Sequence, residues 1–185
     1  QNLTNKFSPY NITPEQWVVL NQIHINKNIS QKKLADIIQK DPNDVKVLVD
    51  KLEQKELIDT LSSKIIANVE EAILHKGSAS LLVSGGSTPK PLFEKLSSFD
   101  IPWEKVKIAL CDERWIDKNH KDTNEKLVRD SFLVNFAAKL KFISMYQEYL
   151  DIEDAQDVCS DIYEKELFPF DVLILGMGND GHTAS

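Results

Sequence analysis

The chain has 185 residues, of which 42% are hydrophobic and 28% are charged, a composition typical of a globular protein with one medium domain or two small ones. Its formal net charge is −7 and all of the acidic excess lies in residues 60–185, so this part should repel nucleic acid and bind anions only at a local site. No apolar run approaches the roughly 20 residues that a membrane-spanning helix needs, and the first ten residues lack the pattern of a secretory signal, so we expect a cytoplasmic protein with no membrane partner.

Residues 1–55 predict a small all-α module. Thr13 followed by Pro14 is typical of a helix start, and Ser30 is a typical N-cap for a short second helix. Residues 41–44 interrupt the pattern, after which apolar residues at helical spacing predict a third helix over about residues 45–55. Two short helices joined by a tight turn after a longer helix are typical of a helix-turn-helix.

Within this module, three segments resemble the central part of a MarR-type winged helix-turn-helix regulator: WVVL at 17–20, SQKKLA at 30–35 and VKVLVDKLE at 45–53. The resemblance covers about residues 10–57, and it implies that the third helix enters the major groove of DNA, with contacts from residues 30–55. Asp41 and Asp44 flank the start of that helix, where base or phosphate contacts favour Arg, Lys, Ser or Asn. A purely structural helical module is therefore the alternative interpretation.

Residues 56–185 have a different pattern, in which helices and short strands alternate. Amphipathic or capped segments predict helices over about 56–76, after residue 88, over 125–136 and over 148–166. Continuous apolar runs of the kind found in parallel sheets predict strands at 81–83, 106–110 and 170–175, with a further short strand at 142–145. This alternation predicts a three-layer α/β domain with a parallel sheet over residues 56–185.

The first of these strands runs into a Ser-Gly-Gly-Ser-Thr loop and then into a helix. Such a turn leaves backbone N–H groups at the positive end of a helix dipole, and glycine lets an anion approach the backbone closely. We therefore predict a phosphate site in this loop, with an ordinary glycine-rich strand-to-helix turn as the alternative. The predicted phosphate-binding residues are Ser84, Gly85, Gly86, Ser87, Thr88 and Lys90.

The second strand ends directly in the charged segment DERW. Ligands of open α/β sheets bind beyond the carboxyl ends of the strands, so charged residues at this point favour a functional role. The Arg114 guanidinium is suited to bind a phosphate or a carboxylate, with Asp112 or Glu113 orienting it. The alternative is a surface salt-bridge cluster in a loop.

The third strand runs into GMGNDGH, which places His182 on a tight glycine-built loop beside Asp180. Imidazole is suited to accept a proton near neutral pH, and a nearby carboxylate fixes its tautomer, so we predict that both residues are catalytic. The loop lacks the third glycine and the downstream acid of a dinucleotide fingerprint, so we expect no nucleotide cofactor. Cys111 and Cys159 are far apart and form no CxxC pair, so neither a disulfide framework nor a zinc cluster is indicated.

Taken together, SGGSTPKPLFEKL, DERW with a following Asn124, and LGMGNDGHTAS resemble the 6-phosphogluconolactonase family, which shares the glucosamine-6-phosphate-isomerase-like fold. The resemblance covers about residues 56–185. It implies that residues 84–88 hold the 6-phosphate or ring hydroxyls of a sugar phosphate lactone, that Arg114 adds charge to that pocket, and that His182, oriented by Asp180, activates water to attack the lactone carbonyl. It also implies that no metal and no cofactor are required.

Members of that family continue well past the last motif, so we expect a lactonase-type α/β part that is truncated at its C-terminal end and follows the partial helical module at about residue 55. The expected function is hydrolysis of 6-phospho-D-glucono-1,5-lactone to 6-phosphogluconate in the pentose phosphate pathway. One alternative is a MarR-type DNA-binding transcriptional regulator. The other is a folded but inactive chimeric or truncated chain.

Overall fold

The structure, a computed structural model, describes residues 12–117, 120–148 and 150–176. The chain divides into two compact units, whose boundary lies between Leu57 and Ile58. The helices are α1 (Pro14–Ile25), α2 (Gln31–Ile38), α3 (Pro42–Lys76), α4 (Lys90–Leu96), α5 (Asn124–Ser131) and α6 (Ile152–Glu166). The strands are β1 (Ala79–Val83), β2 (Val106–Leu110), β3 (Lys141–Phe142) and β4 (Val172–Ile174). Among the described helices, none combines the length and the apolar character needed to cross a bilayer.

The first unit is built from α1, α2 and the beginning of α3, as the sequence predicts. Thr13 caps α1 in a capping box with Gln16, because each side chain accepts a hydrogen bond from the backbone of the other. The Ser30 hydroxyl caps α2 by accepting from the N–H of Lys33 at 3.3 Å. The described part of this unit, residues 12–57, contains helices and no strand, so it includes no β-wing. Its small core consists of Val19, Leu34, Ala35 and Val45.

The third helix is longer than the sequence analysis predicted. A helix over about 45–55 followed by a separate one from residue 56 was expected, but α3 is a single helix of 35 residues. The apolar pattern changes near residue 56, and this change was interpreted as a boundary between elements. The segment around that point holds neither proline nor glycine, so nothing in it stops the backbone hydrogen-bond ladder.

The second unit contains a four-stranded parallel sheet in the order β3-β2-β1-β4. The expected α/β class with a parallel sheet is therefore confirmed. β2 occupies the predicted residues 106–110, whereas β3 shortens to two residues and α6 begins at Ile152 because Asp151 caps it. The helix expected over 125–136 ends at Ser131, and a 3-10 turn follows at Asn135–Lys139.

The sheet is covered on both faces, because alternate residues of its strands point to opposite sides. One face packs against apolar residues of the second half of α3, of α4 and of α5 with the residue that follows it, including Val69, Phe93 and Phe132. The other face packs against α6 through residues such as Ile162. Trp103 is fully buried and packs edge-on against the Phe132 ring at 5.5 Å, which anchors the connection into β2.

The amino ends of β1 and β4 are joined by a closed set of polar contacts, which we call the amino-edge cluster: Lys76, Ser80 and Asp171. The Asp171 carboxylate accepts from the backbone N–H of Ser80 at 2.8 Å and from its hydroxyl at 3.2 Å. Its other oxygen lies 2.8 Å from the Lys76 ammonium. These contacts fix β4 beside β1 at the edge of the sheet opposite to the candidate site.

Candidate functional site

The carboxyl ends of β1, β2 and β4 meet at one edge of the sheet, because β1 pairs with the other two in parallel. The Ser84 N–H donates to the Ile174 carbonyl at 2.9 Å, and the Cys111 N–H donates to the Val83 carbonyl at 2.9 Å. The Gly176 N–H donates to the Ser84 hydroxyl at 3.1 Å. The three segments that the sequence analysis singled out therefore leave the sheet side by side.

The loop that follows β1, the glycine loop, contains two glycines, and each is required for a different reason. Gly86 has a φ of +91°, a left-handed conformation that side chains rarely adopt. Gly85 lies so close to the Asn124 carboxamide that a Cβ at this position would overlap it. Ser87 and Thr88 follow and are exposed, and α4 then begins at Lys90. The loop thus presents its backbone rather than bulky side chains to the edge of the sheet.

The loop after β2 is folded back by the Glu113 carboxylate, which caps the N-terminus of α5. It accepts from the N–H of Asn124 at 2.8 Å and from the N–H of Glu125 at 2.7 Å. It also accepts from the N–H of Arg114 at 2.7 Å, which ties the start of the loop to the start of the helix. A carboxylate at a helix N-terminus is favoured both by the unpaired N–H groups and by the helix dipole. The cap therefore holds Arg114 against the beginning of α5.

The Arg114 side chain is exposed, and it is held by hydrogen-bond acceptors on the loop before α5 and at the start of α5. Its Nη1 atom donates to the Asp122 carbonyl at 2.6 Å and to Asn124 Oδ1 at 3.2 Å. Asn124, which is 4% exposed, in turn donates from Nδ2 to the Asp112 carbonyl at 3.0 Å and to its carboxylate at 3.3 Å. The guanidinium is thus held by neutral oxygens and keeps its positive charge for a ligand.

Between the glycine loop and the start of α5 lies an open pocket of about 440 Å³. Two cationic side chains and one carboxylate line it, and the carboxylate of Asp122 lies 3.7 Å from His120 Nδ1. An arginine beside glycine backbone is a suitable environment for a phosphate. The lining residues are Gly86, Arg114, Ile116, Lys121, Asp122, Thr123, Asn124 and Leu127.

The structure brings some of the predicted site residues together and separates others. Gly86 and Arg114 line the same pocket, while Ser84 is buried behind it and joins β1 to β4. Lys90 is exposed and its ammonium lies 3.9 Å from Glu94 on its own helix, so this contact directs it along α4. The predicted catalytic pair, Asp180 and His182, lies outside the described residues.

Sequence reasoning missed two contributors to the pocket. Lys121 lies in a polar loop with no motif of its own, so no sequence signal distinguishes it. Asn124 was noted only as part of a family motif, yet its side chain contacts Arg114, Asp112 and Gly85. Its position as the first residue of a capped helix was the available signal, because such residues face the helix N-terminus.

A second open cavity, of about 620 Å³, adjoins the same edge between β2 and α6. Burial raises the pKa of the Cys111 thiol, with a hydrogen bond from Ser84 opposing the shift and Asp112 adding to it. Burial likewise raises the pKa of the Cys159 thiol and of the Tyr163 hydroxyl, which donates to the Leu110 carbonyl at 3.0 Å. At neutral pH these three groups are therefore uncharged, so they supply no anionic nucleophile.

Comparison with known proteins places this geometry in a family. Residues 52–185 match the family described as glucosamine-6-phosphate isomerases/6-phosphogluconolactonase. The chain belongs to this family. Residues 12–64 match the MarR family as well, over a smaller part of the chain.

Proteins of the same family from several bacteria are similar to this chain. The chain is 39% identical over 125 residues to 6-phosphogluconolactonase of Pseudomonas aeruginosa, which is 68% of this chain and 52% of that protein. It is 42% identical over 131 residues to the Pseudomonas putida 6-phosphogluconolactonase, which is 71% of this chain and 54% of the relative. The crystal structure of a 6-phosphogluconolactonase from Shewanella baltica matches with a TM-score of 0.68 and 43% identity, over 71% of this chain and 57% of that one. The chain thus spans slightly more than half the length of these relatives.

Proposed function

We propose that the chain hydrolyses 6-phospho-D-glucono-1,5-lactone to 6-phosphogluconate, as a cytoplasmic step of the pentose phosphate pathway. The observation that carries the proposal is the pocket in which Gly86 and Arg114 face each other beyond the carboxyl ends of β1 and β2. Relatives named 6-phosphogluconolactonase, about 40% identical to this chain, support the choice of reaction.

In this proposal the phosphate group of the lactone binds in the 440 Å³ pocket. The Arg114 guanidinium offers donors in a fixed fork, and Lys121 adds a second positive charge at the rim. The backbone around Gly86 approaches the phosphate because no Cβ intervenes. Ser84, Gly85, Ser87, Thr88 and Lys90 are the further residues that we propose for the glycine-loop side of the site.

The proposed chemical step uses His182 as a general base and Asp180 to orient it. His182 removes a proton from water while the water oxygen bonds to the lactone carbonyl carbon. The tetrahedral intermediate carries its negative charge on the former carbonyl oxygen, where backbone N–H groups can stabilise it. The bond between that carbon and the ring oxygen then breaks, and the ring oxygen takes the proton from His182. Water and lactone thus give the open-chain acid without any redox change, so the step needs no cofactor or metal.

Hydrolysis of the lactone above its spontaneous rate tests this proposal. His182→Ala should lower kcat by roughly a hundred- to ten-thousand-fold, which is the usual contribution of a general base. His75→Ala is the matched control, because that imidazole lies near the end of α3 with its side chain 71% exposed. Equal rates for wild type and His182→Ala, or no hydrolysis by the wild-type chain, would contradict the proposal.

A DNA-binding role for residues 30–55 rests on the match of residues 12–64 to the MarR family. Asp41 and Asp44 lie at the start of α3 and would face phosphates there, which opposes this role. A titration with duplex DNA at two salt concentrations decides it. Affinity that falls steeply with salt would support the role, and no binding at low salt would exclude it.

A further inference from the structure

The side chain of Asn124 connects the three segments around the 440 Å³ pocket: the glycine loop, the loop after β2 and the start of α5. It is the first residue of α5 and is 4% exposed, so its carboxamide has little access to water. Its oxygen accepts from Arg114 Nη1 at 3.2 Å and its nitrogen donates to Asp112 at 3.0 and 3.3 Å. Its flat face lies against Gly85 of the glycine loop.

The chemistry of its neighbours fixes the orientation of this carboxamide. A guanidinium only donates hydrogen bonds, and a carbonyl or an ionised carboxylate only accepts them. Asn124 must therefore present Oδ1 to Arg114 and Nδ2 to Asp112, and a flipped amide would oppose donor to donor and acceptor to acceptor. The side chain consequently has one orientation, and it fixes the Nη1 edge of the guanidinium.

The contact with Gly85 sets how closely the glycine loop approaches. A Cβ at residue 85 would overlap the Asn124 carboxamide, so the loop is packed against the amide at the limit that its backbone allows. Gly86 is different, because a Cβ there would meet no atom within 4 Å and glycine is needed only for the φ of +91°. The two glycines therefore give independent probes, of which only the first involves Asn124.

We propose that Asn124 is a positioning residue that sets the separation between the glycine loop and the Arg114 guanidinium, and so makes the pocket selective for a phosphate monoester. This inference rests on the proposed function, since it concerns the same site. Asn124 acts through Gly85 and Arg114 and takes no part in the transfer of protons. Its loss should weaken binding of the phosphorylated sugar acid and leave kcat largely unchanged.

The test is a double-mutant cycle on the full chain, with calorimetric titration of 6-phosphogluconate and of gluconate. Asn124→Ala should raise the Kd for 6-phosphogluconate by about tenfold, because Arg114 loses its second acceptor and the loop loses its support. Gly85→Ala should raise it by a similar factor in the wild-type background and by less than about twofold in Asn124→Ala, where no carboxamide remains to be displaced. The preference for 6-phosphogluconate over gluconate should fall in parallel with affinity.

Gly86→Ala is the matched control for the cycle. It introduces backbone strain without touching Asn124, so its effect should be the same in both backgrounds. The proposal is wrong if Gly85→Ala raises the Kd for 6-phosphogluconate by the same factor with and without the Asn124 carboxamide. It is also wrong if Asn124→Ala leaves the preference for the phosphorylated ligand unchanged. Thermal unfolding of each variant checks folding, and if Asn124→Ala does not fold, the same cycle with Asn124→Ser decides the matter.

Hydrolysis measured on the same samples separates this inference from the proposed function. Wild-type chain that binds 6-phosphogluconate in preference to gluconate, shows the predicted coupling and does not hydrolyse the lactone would uphold the role of Asn124 and overturn the proposed reaction. Hydrolysis together with an additive cycle would overturn the role of Asn124 alone. A wild-type chain with no preference for the phosphorylated ligand would overturn the role as well.

Discussion

Charged residues lie at both the amino edge and the carboxyl edge of the parallel sheet, but they have different roles at the two edges. At the amino edge, the carboxylate of Asp171 is matched by the Ser80 N–H, the Ser80 hydroxyl and the Lys76 ammonium, and these groups face one another. At the carboxyl edge, Arg114 and Lys121 face an open volume of about 440 Å³. The presence of charge at a strand end therefore does not by itself indicate a binding site. What distinguishes the two edges is whether the charged groups satisfy one another or face a space that a ligand can fill.

This difference has an energetic consequence. A closed set of partly buried hydrogen bonds contributes mainly to the stability of the fold, since a backbone N–H that loses its acceptor there is left unsatisfied. An open set contributes little to stability, because water solvates it in the absence of a ligand, and it contributes to binding instead. Variants at the two edges should therefore separate into those that change the free energy of unfolding and those that change affinity.

The largest expected effect on stability is that of Glu113→Ala. This residue is an exception to the division between the edges, because it lies at the carboxyl edge and yet stabilises the fold. Glu113 lies at the carboxyl edge, but its carboxylate accepts three backbone N–H groups, including two at the start of α5. Its removal should lower the free energy of unfolding by about 2 to 3 kcal/mol, as measured by urea denaturation. Glu113→Gln keeps one acceptor oxygen and should cost clearly less. Equal stability of wild type and Glu113→Ala would show that water replaces this cap.

Arg114→Ala should produce the next effect, on affinity rather than stability. Loss of charge-assisted hydrogen bonds to a phosphate should raise the Kd for 6-phosphogluconate by about 10- to 100-fold, with little change in the melting temperature because the side chain is exposed. Arg114→Lys retains the charge and loses the planar fork, so its Kd should lie between the two. Calorimetry measures the binding, and an unchanged Kd for Arg114→Ala would mean that the phosphate binds elsewhere.

Asp171→Ala should give a smaller effect, and this effect should be on stability rather than on affinity. The Ser80 N–H and hydroxyl lose an acceptor in a residue that is 4% exposed, which should lower the free energy of unfolding by about 1 to 2 kcal/mol. The Kd for 6-phosphogluconate should stay within twofold of wild type. Asp171→Asn keeps an acceptor for Ser80 and serves as the control. A change in affinity as large as that of Arg114→Ala would show that the two edges are not independent.

The smallest expected effect comes from Glu166, at the end of α6. Hydrogen bonds from Lys107 and Lys141 at 2.9 and 3.2 Å hold the pKa of its carboxyl below the ordinary value. A lowered pKa in the folded state contributes stability above the pKa of the unfolded chain, and this contribution is lost as the pH falls through the folded pKa. The melting temperature of wild type should therefore exceed that of Glu166→Gln slightly at pH 7, and the difference should vanish on acidification. A difference that grows on acidification would contradict this assignment.

Much of the fold follows from local sequence signals. β2 was predicted with the observed bounds because all its residues except Lys107 are apolar, and Ser30 was recognised as a cap because its hydroxyl can reach the N–H of Lys33 within one turn. The predicted break in α3 was wrong. The pattern of apolar residues changes near residue 56, but the backbone hydrogen bonds of the helix continue through this point. Local patterns report which face of a helix is buried, and they report its length only where a stop signal is present.

The site was less accessible from the sequence than the fold. The proximity of Gly86 and Arg114 could be anticipated, because parallel strands deliver their carboxyl ends to one edge. The contact of Gly85 with Asn124 could not, because it depends on how a loop folds back over α5, and no short-range pattern encodes it. The ion pair of Lys90 with Glu94 joins residues four apart on one helix and was not predicted, and the proposed ligand role of Lys90 stays a prediction. The roles of His182 and Asp180 stay predictions.

The central claim is that the carboxyl edge of the sheet recognises the phosphate of a sugar acid, and an amide chemical-shift titration with 6-phosphogluconate tests it most directly. We expect shifts concentrated at residues 84–88 and at Arg114 and Asn124, unchanged amides at Ser80 and Asp171, and no comparable response to gluconate. Equal shifts with both ligands, or shifts centred on the amino edge, would contradict it.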